Sequence, residues 1–190
     1  MAVADTLKDD SIEAIRELEE MGMKTIMLTG ENEQTARVIA EKLGMSDIYA
    51  KVMPDEKVAV VIPAQEKYGM VAMVGDGIND APALTQANVG VAIGTGTDIA
   101  IEVGDIIFVR GDISGLVSAI KLSRETFKKI KQNLFWVFFY NTVAIPMATF
   151  GLMHQVFAEV AMAISSISVV TNANLLRRAD TSPSYDGGSE

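Results

Sequence analysis

The segment Val74–Pro82, VGDGINDAP, sets two carboxylates, Asp76 and Asp80, four residues apart in a glycine-punctuated turn. The apolar run Val71–Val74 before it predicts a buried strand. Gly75 and Gly77 permit a tight turn, and Pro82 suits the first turn of a helix. Asp76 then stands at the strand tip and Asp80 at the helix entry. Two carboxylates held together there repel unless a cation joins them, and hard oxygen ligands favour Mg²⁺. The competing reading is an Asp-Gly turn followed by an aspartate N-cap, and the complete nine-residue pattern weighs against it.

Two further places suit phosphate chemistry. Thr29-Gly30 follows a short apolar run and presents a hydroxyl and backbone N–H groups to an anion, although a capped helix start looks the same. Lys57, in PDEKV, opens a helix, where a cation gains nothing from the dipole. A phosphate partner explains that placement; a solvated surface lysine is the ordinary alternative. The run Gly94–Asp98, GTGTD, lacks P-loop spacing and reads as a strand-to-helix turn.

A different set of polar residues lies in the apolar C-terminal part. Leu134–Met153 is 20 residues without a charge, and a helix of that length spans about 30 Å, the thickness of bilayer hydrocarbon. After His154 and Gln155, Val156–Leu175 is again mostly apolar. Two helices joined by so short a turn run antiparallel. In the first, Tyr140 and Asn141 lie roughly 10 Å from the end that the basic residues flank. In the second, Ser166 lies roughly 14 Å and Met162 roughly 20 Å from the same side, on one helix face. Pro146 frees the carbonyl of Thr142 and predicts a kink. A phenol, an amide, a thioether and a hydroxyl at comparable depths suit either helix-packing hydrogen bonds or a transport site. Glu159 falls near the far interface, where a carboxylate is tolerated.

The elements that must position these groups follow from periodicity. Residues 9–21 place Ile12, Ile15, Leu18 and Met21 on one helical face, ended by Gly22. A strand over Lys24–Leu28, a helix over 32–43 and a strand near Ile48–Val52 come next. Then follow a helix over Asp55–Lys67, a strand over Met70–Val74 and apolar runs at Val89–Ile93 and Ile106–Val109. Such alternation predicts an α/β domain with a doubly wound, mainly parallel sheet, whose ligands bind beyond the carboxyl ends of the strands. A last helix from about Ile113 through Lys131 is expected to run on as a stalk.

Charge follows the same division. The 190 residues carry 16 basic and 25 acidic side chains, a net −9. Residues 1–120 hold 20 acidic and 9 basic side chains, residues 121–131 hold five basic and one acidic, and 132–176 hold only Glu159. The acidic balance argues against a nucleic-acid partner. The absence of cysteine removes disulfides and thiolate metal sites from this chain. The basic collar (Lys121, Arg124, Lys128, Lys129, Lys131) precedes the first apolar helix, and Arg177 and Arg178 follow the second. Both flanks therefore read as cytoplasmic; the alternative is a buried hairpin in a soluble protein. The expected organisation is residues 1–120 as the soluble domain, 121–133 as basic stalk, 134–176 as transmembrane hairpin and 177–190 as polar cytoplasmic tail. DTSPSYDGGSE at 180–190 reads as disordered.

TGEN, PDEK and VGDGINDAPAL in this order resemble the phosphorylation domain of P-type ATPases, a branch of the haloacid-dehalogenase-like phosphotransferases. Tyr140-Asn141 with Pro146, followed by MAISSISVVTNANLLRR, resembles the last two membrane helices of copper(I)-exporting pumps. Zinc and cadmium pumps of that branch typically carry Lys and Asp in those helices, and this chain has neither there. The resemblance runs from about Val3 to Arg178. It implies that Asp76 and Asp80 hold Mg²⁺, with Asn79 fixing the loop. It also implies that Thr29 bonds the transferred phosphoryl group and that Lys57 neutralises it, with Gly30 part of the same ATP-derived phosphate site. Tyr140, Asn141, Met162 and Ser166 would be ligands for Cu⁺, which a thioether suits.

The chain departs from the family at Glu31, where Asp usually follows Thr-Gly, and in having no Asp-Lys-Thr-Gly motif to supply the phosphorylated aspartate. It also lacks the nucleotide-binding domain and the earlier membrane helices with their Cys-Pro-Cys ligands, so those parts of the pump are the expected partners. The expectation is a C-terminal part of an ATP-driven copper transporter, membrane-bound and inactive alone. Its rivals are a non-catalytic membrane-anchored remnant and an anchored phosphatase of the same superfamily.

Overall fold

A computed structural model describes residues 9–45, 47–75, 78–93, 104–109, 112–151 and 155–185. These fall into two compact units. One holds the described residues up to Val117 together with those from Pro183 on, and the other is Ser118–Ser182.

In the first unit, α1 (Asp9–Glu20) buries Ala14, Ile15 and Leu18, while Gly22, with φ 84°, turns the chain out of it. Strand β1 (Ile26–Leu28) follows, then α2 (Glu33–Leu43). Asn32 caps α2 by accepting from Thr35 N–H at 2.9 Å. Gly44 ends it in the left-handed conformation that a side chain disfavours (φ 75°). Strand β2 (Asp47–Tyr49) pairs with β1 in parallel, Met27 opposite Ile48. A 3₁₀ turn (Pro54–Glu56) leads into α3 (Lys57–Tyr68), then come β3 (Ala72–Gly75), a second 3₁₀ turn (Ile78–Asp80), α4 (Ala81–Gln86), β4 (Val89–Ile93) and β5 (Ile106–Phe108). Strands β3, β4 and β5 form a second parallel sheet in that order, Val74 opposite Val91 and Ala92 opposite Ile107.

The strand–helix alternation and parallel pairing are as the sequence predicts. Among the described residues, however, the five strands pair as two sheets, because β1 and β3 each present an edge with no strand partner on that side. Leu28 of β1 nevertheless packs on the apolar cluster of Val61, Met73, Ala83 and Leu84, which joins α3, β3 and α4. The same layer is braced by amides. Asn88 Oδ1 accepts from Val71 N–H (2.9 Å) and from Gln65 Nε2 (3.1 Å), and Gln65 exchanges bonds with Gln86.

Helix α5 (Ser114–Thr149) is continuous through Pro146, and α6 is Gln155–Asn174. The first apolar helix ends four residues before the expected Met153. Gly151 adopts φ 69°, and Gly151 N–H closes on the Ala148 carbonyl at 3.1 Å. The stretch Glu159–Arg178, of mean hydropathy 1.3, is long and apolar enough to cross a membrane. The apolar part of α5 is about 24 Å long, and Tyr140, Asn141 and Thr142 dilute its hydropathy. Leu175–Arg178 continues α6 as a 3₁₀ turn.

The expectation of a disordered tail fails for 180–185. Asp180 Oδ1 accepts from Ser182 N–H at 3.0 Å, which holds the Asp180 carboxyl below the usual range. Ser184 hydrogen-bonds Glu17 of α1. Burial, and then the carboxylates of Asp10, Glu17, Glu13 and Asp112, push the Tyr185 phenol up to about 12. The neutral phenol is thus the docked form, favoured fully below the ordinary tyrosine value of about 10 and lost as pH rises towards 12. An ultraviolet titration of the chain minus that of Tyr185→Phe should show one phenol ionising near 12. A difference curve centred near 10 would place Tyr185 in solvent.

Candidate functional site

The two 3₁₀ turns, Pro54–Glu56 and Ile78–Asp80, lie against each other, and each delivers one charged side chain. The first is shaped by Pro54 and by Glu56, whose carboxylate accepts from Met53 N–H at 3.1 Å. That turn starts α3 at Lys57. The second follows β3 and starts α4 at Asp80, with Pro82 in its first turn. Asp80 sits at the N-cap position without capping: its side chain makes no bond to the helix N–H groups. Its Oδ1 instead accepts from Lys57 Nζ, and the two side chains are 9% and 14% exposed. Both ordinary readings therefore fail, since Asp80 is not a cap and Lys57 is not solvated.

Gly75, the last residue of β3, makes this arrangement possible. A Cβ built there would lie 2.6 Å from both the Cβ and Oδ2 of Asp80. The carboxylate folds back over the strand end into the space a side chain would fill. Gly90 plays a matching part beneath it, since a Cβ there would lie 2.8 Å from the Leu84 carbonyl oxygen. The sequence reading gave Gly75 a turn role only; its spacing before Asp80 was the available signal. Asp105 was missed altogether. Its Oδ2 accepts from Gly90 N–H at 2.8 Å, and its own N–H donates to the Gly90 carbonyl at 2.8 Å, pinning β4 at the entry to β5.

Thr29 is half-buried just beyond β1. Its N–H donates to the Tyr49 carbonyl (3.0 Å), its carbonyl accepts from Val52 N–H (3.1 Å), and Oγ1 accepts from Glu31 N–H (3.1 Å). The Thr29 hydroxyl is thereby oriented by its own loop and keeps its proton to donate. Gly30 is exposed, its Cα facing the Val52 carbonyl with room for a methyl group (3.6 Å). Asn79 is exposed in the second 3₁₀ turn. Asp76 lies outside the described residues, one position beyond Gly75. The structure thus brings Lys57, Asp80 and Gly75 together, and places Thr29 one residue after Leu28, which packs on the same apolar cluster.

In the second unit three of the four candidate metal ligands are engaged within their own helices, and the fourth, Met162, is exposed. Asn141 Nδ2 donates to the Val137 carbonyl (2.8 Å) and Ser166 Oγ to the Met162 carbonyl (3.0 Å). Tyr140 lies beside Trp136 and Phe139, with ring centroids 6.0 and 6.1 Å away. Met162 is 72% exposed. The bonds between the helices come from other residues: Asn172 Nδ2 donates to Asn133 Oδ1 (2.7 Å), and Lys129 Nζ to Asn172 Oδ1 (3.2 Å).

The first unit is a parallel α/β layer with an aspartate folded over a strand end, and residues 1–88 match the family model for haloacid dehalogenase-like hydrolases. Over nearly its whole length the chain is a homologue of copper-exporting P-type ATPases. It is 52% identical over 178 residues to the probable copper-exporting P-type ATPase V of Mycobacterium tuberculosis, covering 94% of this chain and 23% of that protein. It is 51% identical to the copper-exporting P-type ATPase of Bacillus subtilis, covering 94% and 22%. Among solved structures it resembles a zinc-transporting PIB-type ATPase in the E2.Pi state, with TM-score 0.84, 37% identity, and coverage of 90% of this chain and 28% of that one. The chain spans less than a quarter of the length of these curated relatives.

Lys57→Met should leave a buried carboxylate unpaired and cost about 3 kcal/mol of stability. Adding Asp80→Asn should recover most of that, as read from urea denaturation followed by circular dichroism. Gly75→Ala should cost about 1–3 kcal/mol by driving Asp80 off the strand end. An unchanged midpoint for Lys57→Met would mean that the pair is solvated.

Proposed function

We propose that the chain is the C-terminal part of an ATP-driven copper(I) transporter, supplying the electrostatic surroundings of the phosphorylated aspartate and part of the membrane metal path. The observation that carries this reading is the convergence of Lys57 and Asp80 from two separate turns at one strand end. A cation and a carboxylate poised together suit a transferring phosphoryl group and its Mg²⁺. Asp80, with its second oxygen against Gly75, and Asp76 would hold the Mg²⁺, whose chemistry is to neutralise phosphate charge. The hard-oxygen donor set fits that ion. Lys57 would neutralise the phosphoryl oxygens, the Thr29 hydroxyl would donate to the same group, Gly30 would offer its backbone, and Asn79 would steady the loop.

The phosphorylated aspartate, absent from this sequence as an Asp-Lys-Thr-Gly motif, would arrive on a strand from the upstream part of the pump. The unpaired edges of β1 and β3 support a place for it between them, where one more parallel strand would merge the two sheets. The remaining partners are the nucleotide-binding domain and the earlier membrane helices. In the bilayer, α5 and α6 would form an antiparallel hairpin with both chain ends cytoplasmic, the boundaries being 1–120, 121–133, 134–176 and 177–190.

Copper is favoured as the transported ion by the donor chemistry and by the closer identity to copper exporters than to the zinc-pump structure. Among the described residues, Asn133, Asn172 and Lys129 make interhelical bonds, while Asn141 and Ser166 bond within their own helices. The local bonds of Asn141 and Ser166 are of the kind a ligand exchanges readily.

Purified alone, the chain should give no hydroxylamine-sensitive phosphoenzyme from labelled ATP. Within a complete pump, Asp76→Asn or Asp80→Asn should abolish that phosphoenzyme, and Met162→Leu should weaken Cu⁺ binding in the membrane at least tenfold. Acyl phosphate on the isolated chain, or full phosphorylation of both variants, would overturn the assignment. Undiminished Cu⁺ binding by Met162→Leu would return that residue to helix packing.

A further inference from the structure

We propose that Pro183–Tyr185 is an intramolecular latch that docks on α1, that Glu17 is its receptor, and that negative charge added at Ser184 opens it. Glu17 is only 8% exposed, and a glutamate so buried in a helix needs donors on its carboxylate. Ser184 supplies two of them. Its N–H donates to Oε2 at 3.0 Å and, more weakly, to Oε1 at 3.3 Å, and its hydroxyl donates to Oε1 at 2.7 Å. Bonds to an ionised acceptor are the stronger kind.

The approach to this contact is built, not incidental. The Asp180–Ser182 turn folds the chain after the last 3₁₀ helix, and Lys121 Nζ holds the Ser182 carbonyl at 2.7 Å. Pro183 then fixes φ and donates nothing, so Ser184 is the first residue able to present an N–H to α1. Tyr185 follows it into a half-buried position with its hydroxyl shielded from solvent.

The surroundings decide what the latch tolerates. Asp10, Glu13, Glu17 and Asp112 all act on the Tyr185 position, and every one is acidic. A neutral hydroxyl and amide dock there as donors. An anion at Ser184 removes the donor and puts a second negative charge within about 3 Å of Glu17, where like-charge repulsion is strong. Ser184 itself is exposed, so such a change is accessible from solvent while the latch is closed. The latch is independent of transport and of the missing aspartate.

Amide hydrogen exchange at position 184, resolved by nuclear magnetic resonance on the full chain in lipid nanodiscs, tests it. Each rate is referred to a free peptide of residues 179–190 bearing the same substitution. The native Ser184 amide should exchange at least tenfold slower than the peptide. Glu17→Ala and Ser184→Asp should each bring the rate within about twofold of the peptide. Glu17→Gln and Ser184→Ala, which keep the backbone bond, should retain most of the protection. Peptide-like exchange in the native chain would overturn the latch, and full protection in Ser184→Asp would overturn its charge sensitivity. Should Glu17→Ala fail to fold, Ser184→Asp together with Glu17→Gln still decides the proposal.

Discussion

Lys57 and Asp80 stand 23 residues apart in sequence and meet where both are largely removed from water. Desolvating the two charges costs several kcal/mol for each ion, and their mutual attraction offsets this only when geometry is well determined. Much of the first unit can be read as supplying that geometry. Pro54 and the Glu56–Met53 bond fix where α3 begins. The apolar cluster of Val61, Met73, Ala83 and Leu84 holds α3 against β3 and α4, and Gly75 leaves room for the carboxylate. An apolar pair in these positions would pack at lower cost, so a buried ion pair here points to charge being needed at this strand end.

The elements were legible because their signals are local. Alternation of helical and strand periods, the stop at Gly22 and the positions of the parallel strands all follow from a few neighbouring residues. The fate of Asp80 and Lys57 was not local. At the sequence level the nine-residue pattern weighs against a plain cap for Asp80 and a phosphate partner explains Lys57, but nothing local says that the two side chains meet. Only the apposition of the two 3₁₀ turns brings them together. The sheet break was hidden for a similar reason, since strand edges are properties of pairing over distance. The end of α5 was misjudged because hydropathy counted Phe150–Met153 while Gly151 takes the chain left-handed. The docking of Ser184 on Glu17 spans 167 residues, beyond any local pattern.

The apolar helices show a division of labour that composition alone does not reveal. Polar side chains in such helices tend to bond across to a neighbour, because the alternative is an unsatisfied group in hydrocarbon. Among the described residues, bonds between α5 and α6 are made by Asn133, Asn172 and Lys129, near the basic collar. One ammonium and two amides form a short chain of bonds there. Asn141 and Ser166 satisfy themselves on the preceding turn of their own helices, an arrangement that leaves each oxygen lone pairs to offer. Tyr140 and Met162, beside them in sequence or on the same face, add a phenol and a thioether. The two kinds of bonding thus fall on different residues, across the helices at Asn133, Asn172 and Lys129 and within one helix at Asn141 and Ser166.

The link from the sheet to the apolar segment is a helix whose start is fixed by packing on β5. A glycine- or proline-rich linker would leave that start without a fixed seat. Instead α5 begins six residues after the end of β5 and is seated there: a Cβ on Gly115 would lie 2.9 Å from Phe108 Cδ1, and Leu116 and Val117 are buried. From that seat the same helix continues through the basic collar to Asn133, Tyr140 and Asn141 and ends at Thr149, with Pro146 leaving the Thr142 carbonyl without its helical donor. A helix transmits rotation and displacement along its axis, because every turn is bonded to the next. Tyr140 and Asn141 therefore share one helical segment with Gly115 and lie before the turn that Pro146 interrupts.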